Sequence, residues 1–114
     1  MTDDPRLPHH KLIAYQVAKE LLALVREAGI RDAGLRDQAL RAAKSACLNT
    51  AEGAGRASRA DRARSFTIAR AEACEAAAAV EIAALAGDAP AAASPTVNRA
   101  ADRVVALLTG LIRR

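Results

Sequence analysis

The chain has 114 residues, with 17 Lys and Arg against 13 Asp and Glu for a net charge of +4, and it is 52% hydrophobic but only 2% aromatic. That length suits one domain. No run nears the roughly 18 uncharged apolar residues of a membrane span, and Met1 to His10 lacks the basic-then-apolar pattern of a secretory leader, so a cytoplasmic protein is expected. Alanine supplies 31 of the apolar residues, against 12 Leu, 6 Val and 5 Ile, a composition that favours helix and disfavours sheet. Cys47 and Cys74 are too few, and too far from any C-x-x-C, for a disulfide scaffold or a zinc site; both read as small buried apolar residues.

Pro5 and Pro8 keep a helix interior from starting before His9, which leaves residues 1–9 as a flexible start. A first helix is expected over residues 10–28, where Ile13, Val17, Leu21, Leu24 and Ala28 recur at three- and four-residue steps and Lys19, Glu20, Arg26 and Glu27 cover the other side. Gly29 falls where a left-handed C-cap belongs, and Gly34 closes a short connection. The second helix is expected over residues 35–52. Its inward side is small, with Ala39, Ala43, Ala46, Cys47 and Thr50 along one face and Leu35, Leu40 and Leu48 beside it, which lets helix axes approach closely. Gly53 and Gly55 are expected to end it.

Ser58, with Asp61 three residues on, reads as the N-cap of a long third helix over residues 59–86, in which Phe66, Ala69, Ala73, Ala76, Val80 and Ala84 keep the helical period. Gly87 to Pro90 stops it. Ser94-Pro95 opens a fourth helix over residues 95–113, with Val97, Ala101, Val104, Leu108, Leu111 and Ile112 on its core face. Short connections favour neighbours that run in opposite directions. The fold expected over residues 10–114 is therefore all-α, an antiparallel up-down-up-down four-helix bundle. A core so rich in alanine is thin, which makes packing between subunits a natural supplement.

Several segments together resemble one family. They are Lys11-Leu12-x-x-Tyr15-Gln16-x-Ala18-x-Glu20-Leu21, Gly34-Leu35-x-x-Gln38-x-x-Arg41-Ala42-Ala43-x-Ser45, and Asn49-x-Ala51-Glu52-Gly53-x-Gly55-Arg56. With Ile68-Ala69 and Ala71-x-x-Cys74-Glu75 they are similar to the four-helix bundle proteins encoded in intervening sequences of bacterial 23S ribosomal RNA genes. Tyr15 stands where that family usually has Trp, Cys47 where Pro is common, Ala54 where an aromatic is common and Ser65 where Phe is common. The resemblance implies a barrel-shaped homopentamer and no established biochemical activity. A related group, the accessory proteins of diversity-generating retroelements, binds nucleic acid and a reverse transcriptase.

Charge is unevenly placed. Residues 1–35 are neutral overall and residues 71–114 carry −1, while residues 36–70 carry +5, from Arg36, Arg41, Lys44, Arg56, Arg59, Arg62, Arg64 and Arg70 against Asp37, Glu52 and Asp61. The planar guanidinium suits bidentate phosphate contacts, so Arg41, Lys44, Arg56, Arg59, Arg62 and Arg64 are the candidate nucleic-acid-binding residues. The alternative is a solvated charged face, or arginines engaged in ion pairs between subunits. Tyr15 and Phe66, both expected to be buried, leave no ring for base stacking.

Glu52 is out of place at a helix C-terminus, where the macrodipole disfavours an anion. Asn49, Glu52, Gly53 and Gly55 read as a structural corner: Gly53 supplies a left-handed C-cap, Gly55 permits close backbone approach, and the carboxylate ties the corner to Arg56, Arg59 or the free N–H groups of the third helix. No second carboxylate, histidine or nucleophile accompanies Glu52 in sequence, so it is not read as a general acid or base. Glu72 and Glu75 lack the Glu-x-x-His pairing of a di-iron bundle, and His9 and His10 are expected to point apart into solvent. The expectation is a non-enzymatic, cofactor-free oligomeric scaffold or binding module that binds nucleic acid or a ribonucleoprotein through residues 36–70. A protein–protein adaptor is the rival.

Overall fold

The computed structural model describes residues 6–114. Among these residues it holds a 3₁₀ turn, Pro8–Lys11, and four α-helices: α1 (Ile13–Glu27), α2 (Ala33–Gly55), α3 (Arg59–Leu85) and α4 (Ala93–Ile112). Residues 1–5 of the expected flexible start lie outside the described residues. No described helix is long and apolar enough to cross a membrane. The helices form a bundle in which α1 and α3 each pack on both α2 and α4 and so stand at opposite corners.

The first helix begins three residues later than its periodicity suggests. Leu12 is extended (φ −86°, ψ 126°) and separates α1 from the proline-led 3₁₀ turn. The buried stripe is accordingly Ala14, Val17, Ala18, Leu21, Val25 and Ala28, and Ile13, expected inside, is 65% exposed. His9 and His10 do not point apart: their rings lie 4.2 Å apart, and His9 meets the half-buried Tyr15 edge-on at 4.7 Å. The His10 Nδ1 accepts the Leu7 N–H at 3.1 Å. Desolvation, then the neighbouring His9 and the cations Lys19 and Arg6, hold its pKa below the ordinary histidine value.

Two connections meet at one end of the bundle. Gly29 (φ 73°) and Gly87 (φ 81°) occupy left-handed positions that a side chain would strain. The Arg31 N–H donates to the Asp88 carbonyl at 2.7 Å, and the Arg31 guanidinium donates to the Gly87 carbonyl. Asp32 then caps α2 by accepting the Leu35 N–H at 2.9 Å, so this helix starts at Ala33 and not after Gly34. α4 likewise starts before Ser94. Its N-cap is Ala92, with no side-chain cap, and Pro95 still falls in the first turn, where a missing N–H removes no helical bond.

The α2–α3 seam is built from small residues. Ala39, Ala43 and Ala46 of α2 and Ala69, Ala73, Ala76 and Ala83 of α3 are fully buried. Thr50, also fully buried, satisfies its hydroxyl on the Ala46 carbonyl at 2.7 Å. Leu48, expected beside this face, is 70% exposed. The two cysteines differ. Cys47 is buried and desolvation raises its pKa, whereas Cys74 falls on the outward side of α3 and is exposed.

The glycines at the end of α2 do not take their expected roles. Helix continues through both to Gly55, and neither has positive φ, so Gly53 is not a left-handed cap. Gly53 is instead the close-approach position: a Cβ there would stand 2.6 Å from Cδ1 and Cε1 of the Phe66 ring, while a Cβ on Gly55 would meet nothing within 4 Å. Gly53→Ala is therefore expected to destabilise the fold by about 1–3 kcal/mol through overpacking, and Gly55→Ala to leave it unchanged or slightly more stable. Urea denaturation of the two variants reads both signs; equal effects would contradict the assignment.

Candidate nucleic-acid interface

The α2–α3 corner is set by three local features. Gly53 admits the Phe66 ring and brings the start of α3 against the end of α2. Ser58 caps α3 by accepting the Asp61 N–H at 3.1 Å, which fixes where its first turn begins, and Asp61 lies in that turn, where an anion is favoured. Glu52, in the last turn of α2, accepts from the Ser65 hydroxyl at 3.1 Å and pairs with Arg56 at 3.5 Å. The carboxylate thus spans the two helices. Ser65 is buried, whereas Glu52 and Arg56 are about half exposed, so the hydroxyl contact contributes more than the ion pair. Asn49 does not join the corner; its amide donates to the carbonyl and hydroxyl of Ser45, one turn back in α2.

The candidate cations separate into groups. Arg59 and Arg62 line a pocket at the end of the bundle together with Arg114, over a floor that includes Phe66, Leu12 and Leu111. Arg59 donates to the Arg113 carbonyl at 3.4 Å, and Arg62 to the Ala57 carbonyl at 3.2 Å and, more weakly, to the Arg56 carbonyl at 3.5 Å. Arg64 is exposed but lies outside this pocket. Arg41 and Lys44 are exposed farther back along α2; Arg41 lies about 22 Å from Arg56 at the standard helical rise. Lys44 instead rims a groove between α1 and α2 with Lys19 and Arg26.

Arg114, Lys19 and Arg26 escaped the sequence reading because their segments are neutral or acidic overall. The expected antiparallel order was the available signal for Arg114, since such an order puts the end of the fourth helix beside the start of the third. Elsewhere, Glu72 is half-buried and Glu75 exposed on α3, and neither has an ion-pair partner or a set of metal-ligating neighbours among the described residues.

The sequence model of the family described as 23S rRNA-intervening sequence protein matches residues 10–110, which takes in all four helices up to the last turn of α4. No curated protein matches the chain.

The corner geometry orders three substitutions. Glu52→Ala removes the acceptor of a buried hydroxyl and is expected to cost about 1 kcal/mol, and Ser65→Ala a similar amount. Arg56→Ala, which breaks only the half-exposed pair, is expected to cost under about 0.5 kcal/mol. Thermal denaturation distinguishes them, and a larger loss for Arg56→Ala than for Glu52→Ala would contradict the assignment of the tie to Ser65.

Proposed function

Because the chain belongs to the 23S rRNA-intervening sequence protein family, we propose that it is a non-enzymatic oligomeric binding module whose partner is a nucleic acid or a ribonucleoprotein. The observation that carries this reading is the company kept by the arginines of the end pocket. Among the described residues, Arg59 and Arg62 donate to main-chain carbonyls and not to carboxylates. A carbonyl orients a guanidinium without neutralising it, so the full charge remains available to a phosphate. Arg114 adds a third cation to the same pocket. Arg56 lies alongside, partly offset by Glu52, and Arg64 extends the positive surface along α3. Binding of this kind follows the phosphate backbone and carries little sequence preference.

The same reading takes the helices as an antiparallel up-down-up-down bundle. It is supported by Arg59 reaching the Arg113 carbonyl and by Arg70 Nε donating to the Thr109 hydroxyl at 2.9 Å, which place the first turns of α3 beside the last turns of α4. The backbone bond from Arg31 to Asp88 joins the other two connections at the far end. A barrel-shaped homopentamer, which the family resemblance implies, would repeat the basic corner around a ring in the cytoplasm expected from the sequence and let weak sites add by avidity. The adaptor reading draws on one observation, the apolar side chain of Leu48, 70% exposed on the outward face of α2.

Titration of a short labelled RNA duplex, and of a DNA duplex in parallel, tests the reading. Affinity is expected to fall steeply with added salt, and Arg59→Glu with Arg62→Glu to weaken binding at least about tenfold and to lower the salt slope by roughly two contacts. Undiminished binding by the double variant would sink the pocket assignment. A wild-type protein that ignores both duplexes yet retains one protein partner after nuclease treatment is the adaptor's result, and a metal or chromophore in the purified protein that of an enzyme.

A further inference from the structure

One face of α3 has no partner among the described residues. Ile68, Ala71, Glu75, Ala78, Ile82 and Leu85 follow one another at alternating three- and four-residue steps, a spacing that holds a single line along a helix. All six are exposed, Ile68 at 42%, Ile82 at 52% and Leu85 at 82%. At about 100° per residue this line runs on the side of α3 away from buried Phe66, Ala69, Ala73 and Val80. It is about 26 Å long. Its surroundings are acidic: between Ala71 and Leu85 the helix carries Glu72, Glu75 and Glu81 and no Lys or Arg. None of these three has an ion-pair partner among the described residues.

The matching surface is formed by the two helices of the chain's first half. The groove between α1 and α2 has Leu22, Ala23 and Leu40 as its floor and Lys19, Arg26 and Lys44 on its rim, with no carboxylate among its lining residues. These three cations also lack ion-pair partners among the described residues. An apolar floor rimmed by three positive charges is the chemical complement of a mostly apolar line that contains Glu75 and is flanked by Glu72 and Glu81. It suits a nucleic acid poorly, because half of its lining is aliphatic and no ring is present for stacking.

We propose that the Ile68–Leu85 line of α3 docks in the α1–α2 groove of a second copy of this chain, with Ile82 and Leu85 against the Leu22–Leu40 floor and the glutamates against Lys19, Arg26 and Lys44. The two faces differ, one on α3 alone and the other between α1 and α2, so the contact is heterologous: each copy offers its α3 line to one neighbour and its groove to another, and the assembly closes as a ring or extends as a filament. The proposal rests on the oligomeric part of the reading above and adds which faces meet. It also moves Lys44 from the nucleic-acid-binding set to the subunit interface.

The test is a charge exchange followed by light scattering, with circular dichroism to confirm the helices. Wild-type protein is expected at a multiple of the 11.9 kDa chain mass. Glu75→Lys with Glu81→Lys, and separately Lys19→Glu with Lys44→Glu, are each expected to give a single-chain mass; all four changes in one chain restore the complement and the wild-type mass. Ile82→Ser with Leu85→Ser, outside the core and neutral in charge, gives the same dissociation. An oligomer that survives both charge-exchanged pairs overturns this interface while leaving an oligomeric protein. Folded charge-exchanged pairs that dissociate but are not restored in the fourfold variant overturn the pairing. Wild-type protein at single-chain mass overturns the oligomeric reading and this inference with it.

Discussion

The Phe66 ring seated on Gly53 is the contact on which the α2–α3 corner, and with it the candidate site, depends. It is the chain's one phenylalanine, almost fully buried, and it meets a backbone position that no other residue type could offer without the ring shifting. Because α2 continues as helix through Gly53, the notch has a fixed orientation, and the ring that fills it positions α3 only a few residues after α2 ends. Glu52 then reaches Ser65, and Arg59 and Arg62 come to the end of the bundle beside Arg114. Away from this corner the same seam proceeds by alanine, where small side chains keep the helices close with little apolar volume between them.

That economy of volume bears on assembly. The core has few large fully buried side chains, among them Leu21, Leu108 and four valines, while Leu48, Ile68, Ile82 and Leu85 lie outside it. A chain of this size buries only about two thirds of its unfolded surface, so each large apolar side chain left in water is a sizeable fraction of what could stabilise it. The charges divide in a parallel way. Arg59 and Arg62 are oriented by carbonyls, whereas the lysines and arginine of the α1–α2 groove surround aliphatic side chains. The first arrangement suits a phosphate backbone and the second a helix with acidic flanks.

Much of the fold was legible in the sequence because its signals are local. Gly29 and Gly87 after the last periodic residues, the Ser58 cap and the 3.6-residue spacing of alanines on α2 and α3 each report their own few residues. What was not legible depends on contacts distant in sequence. Gly53 and Gly55 read as a helix stop by the ordinary rule, and only the approach of Phe66 shows why one of them is needed inside the helix. Ser65 carries no sequence mark as the partner of Glu52. The basic run over residues 36–70 was visible as a charge excess, but charge counting cannot tell that Lys44 turns toward α1 while Arg59 and Arg62 turn toward Arg114. Asp32 was a local signal passed over, since an aspartate three residues before Leu35 is an N-cap pattern in its own right.

The most direct test of an oligomeric nucleic-acid-binding module is the mass of the purified wild-type protein by light scattering at low and at high salt, with ultraviolet absorbance recorded on the same peak. The account predicts a multiple of 11.9 kDa at both salt concentrations, with nucleic acid co-eluting at low salt and released at high salt as counterions displace the arginines. A single-chain mass with a protein-only absorbance spectrum at low salt would contradict it.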